Sequence, residues 1–146
     1  MPQDYSSFTL LNVTFPSPPV AHVQLNRPDK LNAFSYDLWI EFGRVFRLLD
    51  NDSDVRVVVL SGAGDRAFCA GLDVKDAAGD EVMGMSQGDG ARWAWKVRKE
   101  RIVVYQESVS AVEECSKRKF ALSTFSIWRF GYGHCFLTGM IGRYPP

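Results

Sequence analysis

Three small residues have the spacing of a phosphate-binding motif. Gly62, Gly64 and Ala67 follow a β-branched run and match the G-x-G-x-x-A pattern of a dinucleotide-binding loop. Such a loop must open a helix whose N-terminus holds the pyrophosphate, whereas Gly71 interrupts the chain four residues after Ala67. No strand that ends in an acidic residue follows about 20 positions further on. We therefore interpret these residues as a plain turn.

A second pattern has the spacing of a catalytic serine. Gly84, Ser86 and Gly88 match the G-x-S-x-G sequence of a hydrolase nucleophile elbow. An elbow requires a strand that leads into the serine, but the turn-forming residues 78–81 (AGDE) precede it, and only His134 follows as a possible base. A loop without hydrolase chemistry is the expected structure.

The remaining candidates for chemistry are a histidine and a basic run. His22 lies between apolar neighbours, and no cysteine or carboxylate is placed to share a metal ion with it. We therefore expect a hydrogen-bonded strand histidine and no metal site. The basic run predicts a solvated helix face, because glutamates dilute its charge, although it could also meet a phosphate. Its members are Lys96, Arg98, Lys99 and Arg101, with Glu100 and Glu107 nearby.

Composition excludes several classes of protein. The 146 residues carry 17 basic and 17 acidic side chains, so no net charge draws the chain to nucleic acid. No apolar run approaches the roughly 20 residues of a membrane span. The cysteines, at positions 69, 115 and 135, are odd in number and none is spaced as a zinc pair, which indicates a reducing, intracellular environment. The first residues lack the features of a secretory signal.

Hydrophobic periodicity predicts the strands and helices that position these residues. Residues 8–13 and 20–25 have the pattern of short strands, and residues 56–61 (RVVVLS) that of a strand covered on both faces. Residues 35–50 carry an apolar stripe at spacings of three and four, with its first residue, a serine, as N-cap. Residues 91–115 predict a long helix. Its shared face comprises Trp95, Ile102, Tyr105, Val109 and Val112.

The end of the chain differs from the rest in its hydrophobic pattern and its composition. After Lys119 neither period is clear, and the segment contains no Asp or Glu. The sequence therefore predicts an α/β protein in two parts, a folded part at residues 1–117 and an irregular tail at residues 118–146.

Three segments in this order resemble one family. Residues 25–34 (LNRPDKLNAF), 56–62 (RVVVLSG) and 67–74 (AFCAGLDV) are similar to the enoyl-CoA hydratase/isomerase (crotonase) superfamily, and the resemblance covers about residues 8–117. The segment at residues 91–117 looks most like the delta-3,5-delta-2,4-dienoyl-CoA isomerases. The resemblance implies the first turns of a crotonase-type ββα spiral crossed by a long helix.

The resemblance also implies a site. Crotonases bind an acyl-CoA thioester and stabilise its enolate with backbone donors, and the matching donor here is the N–H of Leu72. Gly71 would allow the sharp turn before it, and Asp73 would cap the helix after it. Arg27 and Lys30 could approach the coenzyme A phosphates. The implied substrate-binding residues are Arg27, Lys30, Asn32, Ala33, Ala70, Gly71, Leu72, Asp73 and Val74.

The same resemblance implies a cellular location and an assembly, and one segment of the chain departs from the family pattern. It implies a mitochondrial or peroxisomal enzyme of fatty acid β-oxidation that assembles as a trimer or hexamer and needs no cofactor beyond the coenzyme A of its substrate. No targeting signal is evident in the chain. After Lys117 the family pattern of a buried strand and His-Gly is missing, so we expect the second oxyanion donor and the catalytic carboxylates to be absent. A shifted reading frame across residues 119–124 is one hypothesis for this break.

Two functions follow from these expectations. The first is an acyl-CoA isomerase or hydratase whose activity is impaired by the missing groups. The second is a non-catalytic crotonase-like fragment that binds coenzyme A or a partner subunit.

Overall fold

Four strands form one mixed sheet in the computed structural model, which describes residues 4–78 and 90–122. The sheet order follows the chain order: β1 pairs antiparallel with β2, and β2, β3 and β4 are parallel neighbours. The elements are β1 (Leu11–Ser17), β2 (Val20–Leu25), a 3-10 turn (Pro28–Lys30), α1 (Tyr36–Asn51), β3 (Val57–Gly62), α2 (Val74–Ala78), α3 (Gly90–Glu114) and β4 (Arg118–Ala121).

The first strand begins later than the sequence pattern predicts. The pattern placed it at residues 8–13, whereas β1 starts at Leu11 and continues through Pro16 to Ser17. The backbone amides of Thr9 and Leu10 are instead bound by the carboxylate of Glu41 on α1. Proline is tolerated further along because β1 is an edge strand with a register irregularity after Thr14.

Helix α1 matches its prediction closely. The Ser35 hydroxyl accepts a hydrogen bond from the Leu38 N–H at 3.3 Å, as expected for an N-cap. The predicted apolar stripe is buried along its whole length. Its members are Leu38, Trp39, Phe42, Val45, Phe46 and Leu49. They pack with β2 and β3 side chains into the single core of the described part.

Helix α3 packs on α1 through a face that is rotated from the predicted one. Of the predicted face, Val112 is buried and Tyr105 and Val109 pack against the core, whereas Trp95 is 65% and Ile102 44% exposed. Ser108 and Ala111, which were not predicted for this face, are buried. The prediction used a seven-residue spacing, but a straight helix advances about 100° per residue and drifts away from that spacing over three turns. The residues predicted at the start of the face therefore lie outside it.

Strand β4 was not predicted. Residues 118–121 fall in the segment expected to be irregular, yet they pair with β3, with Phe120 opposite Val59. Three of the four residues are exposed, and Phe120 is 53% exposed, so the strand carries little of the apolar signal that periodicity detects. The rest of the expected tail, residues 123–146, lies outside the described residues.

No helix in the described part of the chain is long and apolar enough to cross a membrane.

Candidate functional site

Two loops that are far apart in the sequence lie side by side at the carboxyl ends of β2 and β3. We call residues 26–34 and 63–73 the paired loops. Phe34 and Leu72 form a parallel bridge, in which the Phe34 N–H donates to Gly71 O at 2.8 Å and the Asp73 N–H donates to Phe34 O at 2.9 Å. A third bond runs from the Ala70 N–H to the carbonyl of the other loop at residue 31. The paired loops are thus joined backbone to backbone.

The side chain of Asn32 lies at the centre of the paired loops. Its Oδ1 accepts from the Arg27 N–H at 3.0 Å, and its Nδ2 donates to Ala63 O and Ala67 O, each at 2.9 Å. Its φ of 56° is left-handed, a conformation that asparagine tolerates better than most residues. Asn32 was expected to bind substrate, but it is 0% exposed, so its side chain holds the two loops together from inside the protein.

The start of the second loop requires a glycine. A Cβ on Gly62 would lie 2.3 Å from Phe68 O and 2.7 Å from Asn32 Nδ2, so no larger residue fits without displacement of the backbone. Residues 63–73 form a loop, and the following helix begins only at Val74. This agrees with a plain turn rather than a dinucleotide-binding loop at Gly62–Ala67.

Arg27 spans the two loops with its guanidinium group. Nη1 donates to Ala33 O, and Nη2 lies 3.0 Å from Asp73 Oδ2, with both side chains about one-sixth exposed. The guanidinium is therefore bound within the protein, whereas the resemblance implied that it could approach coenzyme A phosphates. Lys30, the other cation considered for that contact, is exposed on the 3-10 turn.

Asp73 has the capping position that the resemblance implied. Its Oδ1 accepts from the Asp76 N–H at 3.3 Å at the start of α2. Burial tends to raise the pKa of Asp73, but the hydrogen bond from Arg27, the Asp76 and Lys75 backbone amides and the charge of Arg27 outweigh it and hold this pKa below its ordinary value. Asp73 is therefore an ionised carboxylate at neutral pH.

The backbone amide of Leu72 is directed away from these contacts. Gly71 O and Asp73 N both face Phe34. Gly71 O and the Leu72 N–H belong to one trans peptide group, in which the C=O and the N–H point in opposite directions, so the Leu72 N–H points away from the bridge. Within residues 4–78 and 90–122 no acceptor is bonded to it. Gly71 has a φ of 97°, and a Cβ there would meet no described atom within 4 Å. The Leu72 amide therefore lies outside any helix and follows a glycine whose missing side chain leaves that position unfilled by the described residues.

Contacts that the sequence did not predict fix α2 to its neighbours. The Asp76 carboxylate accepts from the Tyr36 N–H at 2.6 Å, at the start of α1. Arg101 of α3 donates to Asp76 O at 2.9 Å and lies 5.1 Å from the centre of the Tyr36 ring. Arg101 belongs to the basic run that was expected to be solvated. Its contacts depend on its position opposite α2 in the fold, which the sequence pattern of the run does not indicate.

The other candidates for chemistry contribute no further site in the described part. His22 Nε2 lies 2.8 Å from Ser61 Oγ, and Nδ1 lies 3.5 Å from Thr14 Oγ1, which agrees with a hydrogen-bonded strand histidine. Among the described residues no group of three or more His, Cys, Asp or Glu could hold a metal ion. Ser86 and His134 lie outside those residues.

The fold and the sequence define the family. A sequence model described as Enoyl-CoA hydratase/isomerase matches residues 17–106. A solved enoyl-CoA hydratase/isomerase from Mycobacterium paratuberculosis superposes with a TM-score of 0.65 at 28% identity, over 82% of this chain and 43% of that chain. The chain therefore belongs to the enoyl-CoA hydratase/isomerase family, and its α/β fold is part of the crotonase fold.

Curated relatives are named more specifically. The mouse mitochondrial Delta(3,5)-Delta(2,4)-dienoyl-CoA isomerase is 41% identical over 111 residues, which are 76% of this chain and 33% of the relative. The peroxisomal Delta(3,5)-Delta(2,4)-dienoyl-CoA isomerase of Arabidopsis thaliana is 38% identical over 98 residues, 67% of this chain and 34% of that protein. The predicted resemblance is confirmed, and the chain spans about a third of the length of these relatives.

Removal of the central side chain tests the role of Asn32. Asn32→Ala leaves buried backbone groups without partners, each of which costs about 1–3 kcal/mol, so we expect the free energy of unfolding to fall by about 2–4 kcal/mol. Urea denaturation measures the change. Asn51→Ala, which removes an exposed asparagine bonded only to Arg47 O within α1, is the matched control and should change the value by less than about 0.5 kcal/mol. Equal effects of the two changes would contradict the central role.

The lowered pKa of Asp73 predicts a pH-dependent contribution to stability. Because its pKa is lower in the folded chain than the ordinary 3.8, the ionised form stabilises the fold above that pH, and this contribution disappears as the pH falls through the folded pKa. The difference in unfolding free energy between the natural chain and Asp73→Asn should therefore be largest near neutral pH and shrink below pH 3.8. A difference that is constant from pH 7 to pH 2 would argue against the ion pair.

Proposed function

We propose that the paired loops bind the thioester group of an acyl-CoA and that the Leu72 N–H donates to its carbonyl oxygen. The observation that carries this proposal is the orientation of that amide. It points away from Phe34, no acceptor among the described residues is bonded to it, and the preceding residue is a glycine whose Cβ position no described atom fills. The family membership supports an enoyl- or dienoyl-CoA as the substrate class.

The proposed chemistry is stabilisation of an enolate. When a proton leaves or enters next to the thioester carbonyl, negative charge develops on the carbonyl oxygen. A backbone N–H that is already in position stabilises this charge without reorganisation, and loss of one such donor typically costs about 100- to 1000-fold in kcat. The left-handed Gly71 supports this role because it lacks a Cβ that would obstruct the approach of the thioester.

Side chains around the amide supply complementary surfaces for the rest of the ligand. Leu72 is 46% and Val74 73% exposed, so both present apolar area next to the proposed thioester position. Lys30 is an exposed cation of the first of the paired loops and is the residue that we propose for contact with the phosphates. Arg27, which is bound to Ala33 O and Asp73, is not proposed for that role.

Neither carboxylate near the amide is suited to proton transfer. Asp73 is paired with Arg27 and has a lowered pKa, which makes it a weak base. Asp76 accepts a hydrogen bond from the Tyr36 backbone. We therefore propose isomerase or hydratase chemistry in which these two residues do not carry the proton. The same observation favours a second candidate, a crotonase-like chain that binds acyl-CoA without turnover.

The names of the relatives support a proposal for location. We propose a mitochondrial or peroxisomal protein, since the mouse and Arabidopsis relatives are named for those organelles. Assembly as a trimer or hexamer is part of the same proposal and rests on the family resemblance.

Removal of the Leu72 N–H tests the binding proposal. Replacement of Leu72 by its α-hydroxy acid converts the amide to an ester and keeps the side chain. We expect octanoyl-CoA to bind about 2- to 12-fold more weakly to this variant, the range for loss of one neutral hydrogen bond. S-octyl-CoA, a thioether without the carbonyl, is the matched ligand and should bind equally to both proteins. Titration calorimetry measures both, and unchanged octanoyl-CoA binding would contradict the proposal.

Turnover separates the two candidate functions. If the chain is an isomerase, a 3,5-dienoyl-CoA should gain the ultraviolet absorbance of the conjugated 2,4-isomer, and the Leu72 ester variant should react about 100- to 1000-fold more slowly. We expect Asp73→Asn to slow the reaction less than the ester variant does, because Asp73 is not the proposed proton carrier and its loss leaves the Leu72 N–H itself in place. Carbonyl-dependent binding without any absorbance change would instead support the non-catalytic acyl-CoA binder.

A further inference from the structure

The Leu72 amide lies between two residues whose own bonds hold it in place. Gly71 O and Asp73 N are both bonded to Phe34, so the bridge fixes the chain on either side of Leu72. A single bridge of two hydrogen bonds is not a strand, and it lacks the neighbouring ladder that would keep it in register. The Ala70 N–H, which donates to Leu31 O, and the Asn32 side chain join the loops on one side of the bridge, which leaves the side of Leu72 and Asp73 to other contacts.

The guanidinium of Arg27 lies across this bridge. One nitrogen donates to the carbonyl of Ala33, the residue before Phe34, and the other lies 3.0 Å from the carboxylate of Asp73, the residue after Leu72. The two contacts thus tie one segment to the other at the bridge. We call this pair of contacts the Arg27 fork.

The backbone of Arg27 is hydrogen-bonded at both its N–H and its carbonyl group. The Arg27 N–H donates to Asn32 Oδ1 at 3.0 Å, and the Arg27 carbonyl accepts from the Asn32 N–H at 2.8 Å and the Lys30 N–H at 3.0 Å. The side chains of Arg27 and Asp73 are only 16% and 15% exposed, so solvent screens the ion pair less than it screens a surface pair.

We propose that Arg27 is a positioning residue that sets the direction of the Leu72 N–H toward the thioester carbonyl. This inference rests on the proposed function and adds the group on which its geometry depends. Arg27 acts through Asp73 and Ala33 and does not touch the ligand. Hydrogen-bond strength depends steeply on angle and distance, so a small displacement of residues 71–73 weakens the contact with the carbonyl without closing the site.

Arginine is suited to this role in a way that lysine is not. A planar guanidinium presents several N–H donors in fixed directions and can bind a carbonyl and a carboxylate together, whereas the ammonium group of lysine is a compact point charge on a flexible stem. Arg27→Lys therefore keeps the charge beside Asp73 but loses the connection between the two segments. The charge alone does not set the position of the amide.

The test compares two ligands that differ only at the carbonyl. The selectivity is the Kd of S-octyl-CoA divided by the Kd of octanoyl-CoA, and for the natural chain we expect about 2- to 12-fold. In Arg27→Met it should fall to about one, with the Kd of S-octyl-CoA unchanged within about twofold. In Arg27→Lys it should fall to an intermediate value.

A spectroscopic signature measures the same contact directly. Octanoyl-CoA with a 13C-labelled carbonyl should show a lower carbonyl stretching frequency when bound to the natural chain, because a donated hydrogen bond weakens the C=O bond. The frequency should return toward its value in water-free, non-bonded surroundings in Arg27→Met. Arg56→Met removes an exposed arginine next to the opposite end of β3 and should leave both the selectivity and the frequency unchanged.

The outcomes separate the failure of this inference from the failure of the proposed function. If the natural chain itself does not distinguish the two ligands, the proposed function is wrong and the role of Arg27 is wrong with it. If the natural chain distinguishes them and Arg27→Met does so equally, only the role of Arg27 is wrong. If Arg27→Met binds both ligands more weakly by the same factor, Arg27 contacts the phosphates, and its proposed positioning role is wrong. Circular dichroism identifies an unfolded variant, and should Arg27→Met unfold, retention of the full selectivity by Arg27→Lys would overturn the inference.

Discussion

The arrangement of the candidate site depends on one constraint: two irregular backbone segments must satisfy their buried polar groups with each other. Apart from the single 3-10 turn at Pro28–Lys30, neither of the paired loops has a helix or sheet ladder of its own to do so. The bridge between Phe34 and Leu72 satisfies some of these groups, and the three hydrogen bonds of the Asn32 side chain satisfy others. Because an unpaired buried polar group costs more than a hydrogen bond gains, the loops are held in this particular arrangement rather than merely held near each other.

The apolar core and the polar contacts of the loops determine different parts of the geometry of the site. The core between the sheet and α1 orients the carboxyl ends of β2 and β3, from which the paired loops leave. The direction of individual backbone groups is then decided by polar contacts, including those of Arg27 and Asp73. Asp76 and Arg101 extend these contacts to α1 and α3, so the short helix α2 is connected to both long helices. A peptide group has no side-chain rotamer that could change its direction. A site that uses a backbone amide therefore depends on polar contacts that fix the neighbouring backbone.

The proposed backbone donor would also account for the constraints on the types of the residues around it. An amide N–H carries no net charge, so its effect on a developing oxyanion comes from position and not from attraction at a distance. Position in turn limits the neighbours: Gly71 has a left-handed φ, Gly62 has no room for a Cβ, and Asn32 tolerates a positive φ. The proposed chemistry itself uses only the backbone of Leu72, whose half-exposed side chain is available for contact with the ligand.

Local patterns in the sequence determined β2, β3 and α1, because burial of one face or of both faces requires apolar residues at regular positions within a short segment. The Ser35 cap and the Asp73 cap were likewise predictable from short-range chemistry and from the family resemblance. The tertiary structure alone decided that Arg27 binds Asp73 rather than facing solvent, that Asn32 is buried, that β4 joins the sheet and that the packed face of α3 excludes Trp95 and Ile102. The reason is physical: Arg27 and Asp73 are 46 residues apart, and contacts over such separations, like the pairing of a short exposed edge strand, leave no periodic trace in the chain.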